Sequence, residues 1–209
     1  MIVTRTRTRT RANATAAGPM RSFDPHAVGT YECRAWETYY RRRWAAFLVA
    51  SVGMVRAAFR MSWRRTLVGA WLVLRANMKW APFPDNDPDA ARALMRRFYE
   101  LLATSERSSF DPMRAAELEV EWWRAHRESQ HDAADGSSRE LVVALRDLYA
   151  YTYGVEPVDL ELAAELRAEA MEVSDGWVQD GCDPEAPALA EERALLVRSY
   201  AALLAAVHR

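Results

Sequence analysis

The sequence predicts an all-α protein, a multi-helix bundle of about six to seven helices whose neighbours run mostly antiparallel. Three observations carry that prediction. Half of the 209 residues are apolar while only eight are glycine and nine proline, a helix-forming balance rather than that of a sandwich, a barrel or a disordered chain. Asp followed by Pro occurs at Asp24-Pro25, Asp87-Pro88, Asp111-Pro112 and Asp183-Pro184, and Asp at an N-cap with Pro in the first helical position is a strong start signal. Between these starts apolar residues recur every three or four positions.

Taken in order, residues 1–21 read TRTRTRTR and then ANATAAGP. They have no apolar period and are expected to form a disordered basic arm, with Met20 as a candidate natural start. Residues 22–209 are expected to form a single helical domain. The first helical stretch is 25–60, as one helix or a broken pair, with Phe23 and Val28 placed to close a hydrophobic staple over the Asp24 cap. Ser62 is a candidate cap for 63–80, where Leu67, Trp71, Leu74 and Met78 make an apparent core stripe. Asp87 and Asp111 open 88–104 and 112–131, and Ser137 with Glu140 makes a capping box for 138–153. Pro157 opens 157–178. A last helix, 186–208, follows Asp183-Pro184 with the stripe Leu189, Leu196, Tyr200, Leu203 and Val207. The eight tryptophans are expected mostly to anchor this packing.

Charge is uneven along the chain. Residues 1–80 carry fifteen basic and three acidic side chains, and 81–209 carry thirteen basic and twenty-six acidic. The expected meaning is that the two parts attract as they pack, so nucleic acid is not an expected partner. Arg41, Arg42, Arg43, Arg56, Arg60, Arg64 and Arg65 alternate with Trp44, Phe59 and Trp63, and a membrane-surface contact by 41–65 is the lesser reading. No stretch has the roughly 18 to 20 uninterrupted apolar residues of a bilayer span. Cys33 and Cys182 lack any CxxC or Cys/His spacing, so a disulfide framework and a zinc ribbon are not indicated, and a cytoplasmic location is expected. A Gly-rich phosphate loop and a Gly-x-Ser-x-Gly elbow are both missing, which leaves hydrolase and nucleotide-binding readings without a motif. The run Asp85-Asn86-Asp87-Pro88-Asp89 is not an EF-hand, which needs Gly and Glu where this chain has Ala90 and Arg96.

One helix breaks its own pattern. With 113–131 on a wheel, Arg114, Glu117, Glu121, Arg124 and Glu128 form a wet face, yet Glu119 and His126 fall at about 240° and 220° from Met113, inside the apolar arc. A carboxylate and an imidazole there must be paired. A neighbouring Arg, Tyr or backbone group suffices for a structural network. A ligand pocket of Glu119, His126, Trp122, Trp123 and Tyr40 is the functional alternative. Seven residues separate the pair by about 10.5 Å of helix rise, so a metal site needs another helix, and Glu37 is the candidate. Glu37, Glu119 and His126 would make a two-Glu, one-His set suited to iron or another divalent metal. Glu128-x-x-His131 matches half of a ferritin-type diiron motif, but Glu128 points to the wet face.

The strings WETYYRRRW (36–44), LRANMKWAPFPDND (74–87), MRRFYELL (95–102) and LEVEWWRAHRE (118–128) resemble an uncharacterised bacterial family of helical proteins to which no activity is assigned. The likeness spans roughly 22–205 and implies a single unit. The expected function is a helical protein whose internal polar pocket binds a metal or small ligand, with a metal-dependent oxidoreductase as the enzyme class it would suit. The rival is a helical interaction protein, with a protein partner for its acidic half and a buried Glu and His that only fix register.

Overall fold

The computed structural model describes residues 19–106, 110–131 and 137–209. Among them it contains no strand and eight α-helices: α1 (Pro25–Tyr40), α2 (Trp44–Phe59), α3 (Trp63–Trp80), α4 (Pro88–Glu106), α5 (Pro112–His131), α6 (Ser137–Tyr153), α7 (Glu161–Gln179) and α8 (Ala188–Val207). Short 3-10 turns cover Pro19–Arg21 and Pro157–Leu160. The all-α class therefore holds, with eight helices in place of six to seven.

The extra helix comes from the break in 25–60. Arg42 takes a left-handed backbone (φ 56°). Its N–H donates to Tyr39 O at 2.9 Å while Arg43 N–H donates to Thr38 O at 2.8 Å. Those paired bonds close the last turn of α1 and reverse the chain into α2.

Three of the four Asp-Pro signals work as caps. Asp24, Asp87 and Asp111 each accept from a backbone N–H two or three residues on, at 3.0 Å. The fourth is displaced: Asp183 accepts from Glu185 N at 3.0 Å, but α8 begins only at Ala188. A helix started at Pro184 would put Pro187 in its fourth position, where the ring has no N–H to give and collides with the Asp183 carbonyl. That carbonyl instead accepts from the Trp177 indole at 2.7 Å. Ser62 holds the N-cap position of α3 without a side-chain bond. Ser137 opens α6, and its side chain, like residues 1–18, lies outside the described residues. Residues 19–21, expected to belong to the arm, are part of the fold: Met20 is buried in the main core and Arg21 donates to the carbonyls of Tyr153 and Val207.

Each helix packs on the next, and α8 returns onto α1, so the eight form a closed circuit. Pairings run antiparallel: Gly29 meets Val197 while Cys33 meets Leu189 across α1 and α8, and Ser138 meets Glu172 while Tyr149 meets Arg167 across α6 and α7. At the α1–α8 crossing a Cβ on Gly29 would lie 2.7 Å from the Val197 nitrogen, so glycine sets how closely these helices approach. Phe23 and Val28 are buried together, where the staple placed them.

The stripe expected on α3 is reversed. Leu74 is buried, but Leu67, Trp71 and Met78 are 54%, 49% and 42% exposed. The buried residues are Thr66, Gly69, Ala70, Leu72, Val73, Leu74, Ala76 and Trp80, and the small ones among them admit Phe98 of α4 to 3.3 Å from where a Gly69 Cβ would stand. Close packing wins over side-chain size here. Trp63 is exposed as well, so two of the eight tryptophans are not anchors of the core.

Among the described residues one ion pair joins a basic residue of 1–80 to an acid of 81–209, Lys79 with Asp87 at 3.8 Å. Among the described residues Arg42, Arg43, Arg56, Arg60, Arg64, Arg65 and Arg75 enter no ion pair, and Arg41 pairs within its own helix with Glu37. Several instead cap carbonyls or stack on rings: Arg56 donates to Met61 O and lies over Trp63, and Arg75 lies over Trp71. No helix among the described residues is long and apolar enough to cross a membrane.

Candidate functional site

A circuit of eight helices leaves a space at its hub, and in this protein that space is a cavity of about 390 Å³. Every helix lends it a wall residue, for example Ala35, Val55, Val73, Phe98, Trp122, Leu148, Arg167 and Leu203 in turn from α1 to α8. The lining is mostly apolar and aromatic, with polar side chains held at three places.

At the first, Glu119 of α5 accepts from the Tyr99 hydroxyl at 2.7 Å and the Trp123 indole at 3.2 Å. Burial pushes its carboxyl above the ordinary value, against the pull of the Tyr99 hydroxyl and the Arg167 charge. Trp122 Nε1, by contrast, is buried without completing a hydrogen bond.

At the second, Arg167 of α7 donates to Glu32 of α1 and to the Tyr149 hydroxyl, and Tyr200 also donates to Glu32. Its guanidinium lies 4.8 Å from the Trp122 ring centre. Burial works most strongly against the Arg167 charge, but Glu32 together with Tyr149, Tyr200 and Glu119 outweighs it and keeps the group protonated. Behind this pair and outside the cavity wall, Glu192 is fully buried with neither oxygen hydrogen-bonded. Burial first, and then the Glu32 charge, raise its pKa to about 9, so it is a neutral acid at pH 7. Ser174 and Cys33 stand beside it without completing bonds to it, and burial raises the Cys33 thiol too.

At the third, His126 Nε2 lies 3.0 Å from Asp175 Oδ2, and Asp175 also accepts from Gln130 (2.5 Å) and Tyr40 (3.4 Å). Next to this network the charges of two arginines, Arg127 and Arg42, act on the Tyr39 hydroxyl. Arg127 donates to Trp80 O at 2.9 Å and Arg42 to Ala81 O at 3.3 Å, so consecutive carbonyls at the end of α3 hold them side by side.

Tyr40, Glu119, Trp122, Trp123 and His126 thus all stand in the cavity wall. Glu119 and His126 belong to separate networks, as their spacing along α5 requires. Glu37 does not line the cavity, and its carboxylate faces Arg41 at 2.9 Å. Among the described residues no group of three His, Cys, Asp or Glu side chains is disposed to hold a metal ion, so Glu37, Glu119 and His126 are not assembled as a ligand set. Glu128 is engaged by Arg124 on the wet face, and the His131 side chain lies outside the described residues.

Sequence reasoning missed Arg167, Glu32, Glu192 and the Arg42–Arg127 pair. The first three carry the signal that exposed Glu119, a charge within an apolar arc: Arg167 sits among Ala163, Ala164, Leu166, Ala168 and Met171. Comparison with protein-family models, with curated proteins and with solved structures finds no match for this chain.

Proposed function

We propose that the protein binds a small, mainly apolar molecule in the cavity at its hub. The observation that supports this is the convergence of all eight helices on an aromatic and aliphatic chamber in which a few polar side chains are already fixed. Protein interiors normally close to crystalline density, and a well-formed apolar pocket of this size with convergent polar groups is what a ligand site looks like. Glu119 is tied to Tyr99 and Trp123, and Arg167 to Glu32. These groups shape and orient, while the apolar wall supplies the driving force. The rival, in which Glu119 and His126 only fix helix register, is supported by the partner each one finds, and a pocket rigidified by such networks accommodates both roles.

Dodecanol is a suitable probe, titrated while the tryptophan fluorescence of the wall is followed. Saturable one-to-one binding is expected in the native chain and loss of it in a Val73→Phe variant whose helicity is intact, since that ring would occupy the chamber. An equal response in the two proteins would refute the proposal.

A further inference from the structure

Resting on that reading, we infer that the bound molecule ends in an oxyanion, a carboxylate or a phosphate, seated between Arg127 and Arg42 with its apolar body in the cavity.

Both arginines line the cavity, and no carboxylate lies within ion-pair distance of either among the described residues. Their assembly follows from the backbone. Each spends an N–H on a terminal carbonyl of α3, the end of a helix where a cation is welcome, and each packs on aromatic rings. The Arg127 guanidinium lies 4.3 Å from the Trp80 ring centre and 5.4 Å from that of Phe83, and Arg42 lies 5.4 Å from that of Tyr39. Helix capping accounts for one donor of each fork and leaves the others. Arg127 Nη1 in particular is buried with no acceptor, a costly state for a charged donor.

The remaining donors fit the two-toothed geometry of an oxyanion, which guanidinium forks match better than ammonium groups do. Tyr39, whose ring lies under Arg42 and whose hydroxyl feels the charge of both arginines, adds a hydroxyl nearby. Burial lowers the Arg127 pKa, the mark of a desolvated cation without a carboxylate beside it. Beyond the pair an apolar stretch of wall runs from Phe47 and Val73 to Met95, Phe98 and Leu102, while Glu119 and the Arg167–Glu32 pair are tied up in networks of their own. One polar end and one apolar body is therefore the shape of molecule the chamber complements.

The test compares dodecanol, dodecanoate and dodecyl phosphate, each below its micelle concentration, on the native chain and on Arg127→Gln and Arg42→Gln variants. At least one anion is expected to bind about tenfold or more tightly than the alcohol, as a charge-assisted pair of hydrogen bonds predicts. Arg127→Gln should remove about that advantage, lowering anion affinity by far more than it lowers dodecanol affinity. Arg42→Gln, on an exposed turn, should weaken the same anion even if the other variant folds poorly. Which anion leads identifies the head group. Anions that bind no better than dodecanol, or an advantage that survives both substitutions, would overturn the inference while leaving the cavity reading in place. Failure of dodecanol itself would bring down the cavity reading.

Discussion

Replacing Glu192 with Gln should make the protein more stable at neutral and alkaline pH. The carboxyl is fully buried with both oxygens unbonded, and its pKa stands at about 9 against an ordinary 4.5. An acid whose pKa is raised by folding is protonated in both states below 4.5, so nothing is lost there. Between 4.5 and about 9 the unfolded chain gives up the proton while the folded chain keeps it, and stability falls as pH rises through that window. At about 1.4 kcal/mol per pH unit, the penalty at pH 7 is about 3 kcal/mol. Gln keeps the shape and carries no charge, so the variant escapes it. Urea denaturation followed by circular dichroism near pH 5 and near pH 8 should show the two proteins similar at the lower pH and the variant ahead by a few kcal/mol at the higher. A difference that does not change with pH would mean that Glu192 is ionised in the folded protein, and the account of that buried acid would fail.

Five further substitutions probe the rest. Arg167→Met should cost about 3–5 kcal/mol, because it leaves the Glu32 carboxylate buried without its cation, and adding Glu32→Met should recover much of the loss in the same denaturation assay. Gly29→Ala should cost about 2 kcal/mol or more, since the new Cβ would meet Val197 backbone at 2.7 Å. Gly53→Ala meets only the ring of the partly exposed Tyr31, which can swing aside, and should shift the melting temperature far less. Trp71→Gln should change stability by no more than about 0.5 kcal/mol, because that ring lies on the outward face of α3.

The helices were legible because their starts are local chemistry: an Asp side chain reaching a backbone N–H reads the same in sequence and in space. Where local signals compete the reading slips, as at Asp183-Pro184, where a second proline three residues on forbids the helix the first one announces. The α3 stripe misled for a different reason. Its large residues satisfy the period on either face, and the rotation of α3 is set by contacts with other helices, such as the close approach of Phe98 at Gly69. The candidate site was half legible. Glu119 and His126 stand out on one wheel, but whether Glu37 meets them depends on how helices rotate about one another, which one helix cannot tell. The Arg42–Arg127 pair is assembled by two backbone carbonyls at the end of a third helix, and no spacing in the sequence records that.

The central claim is that the hub cavity holds an apolar ligand, and methionine methyl groups report on it directly. Met20, Met54 and Met95 line the cavity, while Met78 and Met113 are exposed on the surface. In protein labelled at its methionine methyls, titration with dodecanol should shift the resonances of Met20, Met54 and Met95 in a saturable way and leave Met78 and Met113 in place. Shifts confined to Met78, on the outward apolar face of α3, would place the probe on the surface and contradict the account.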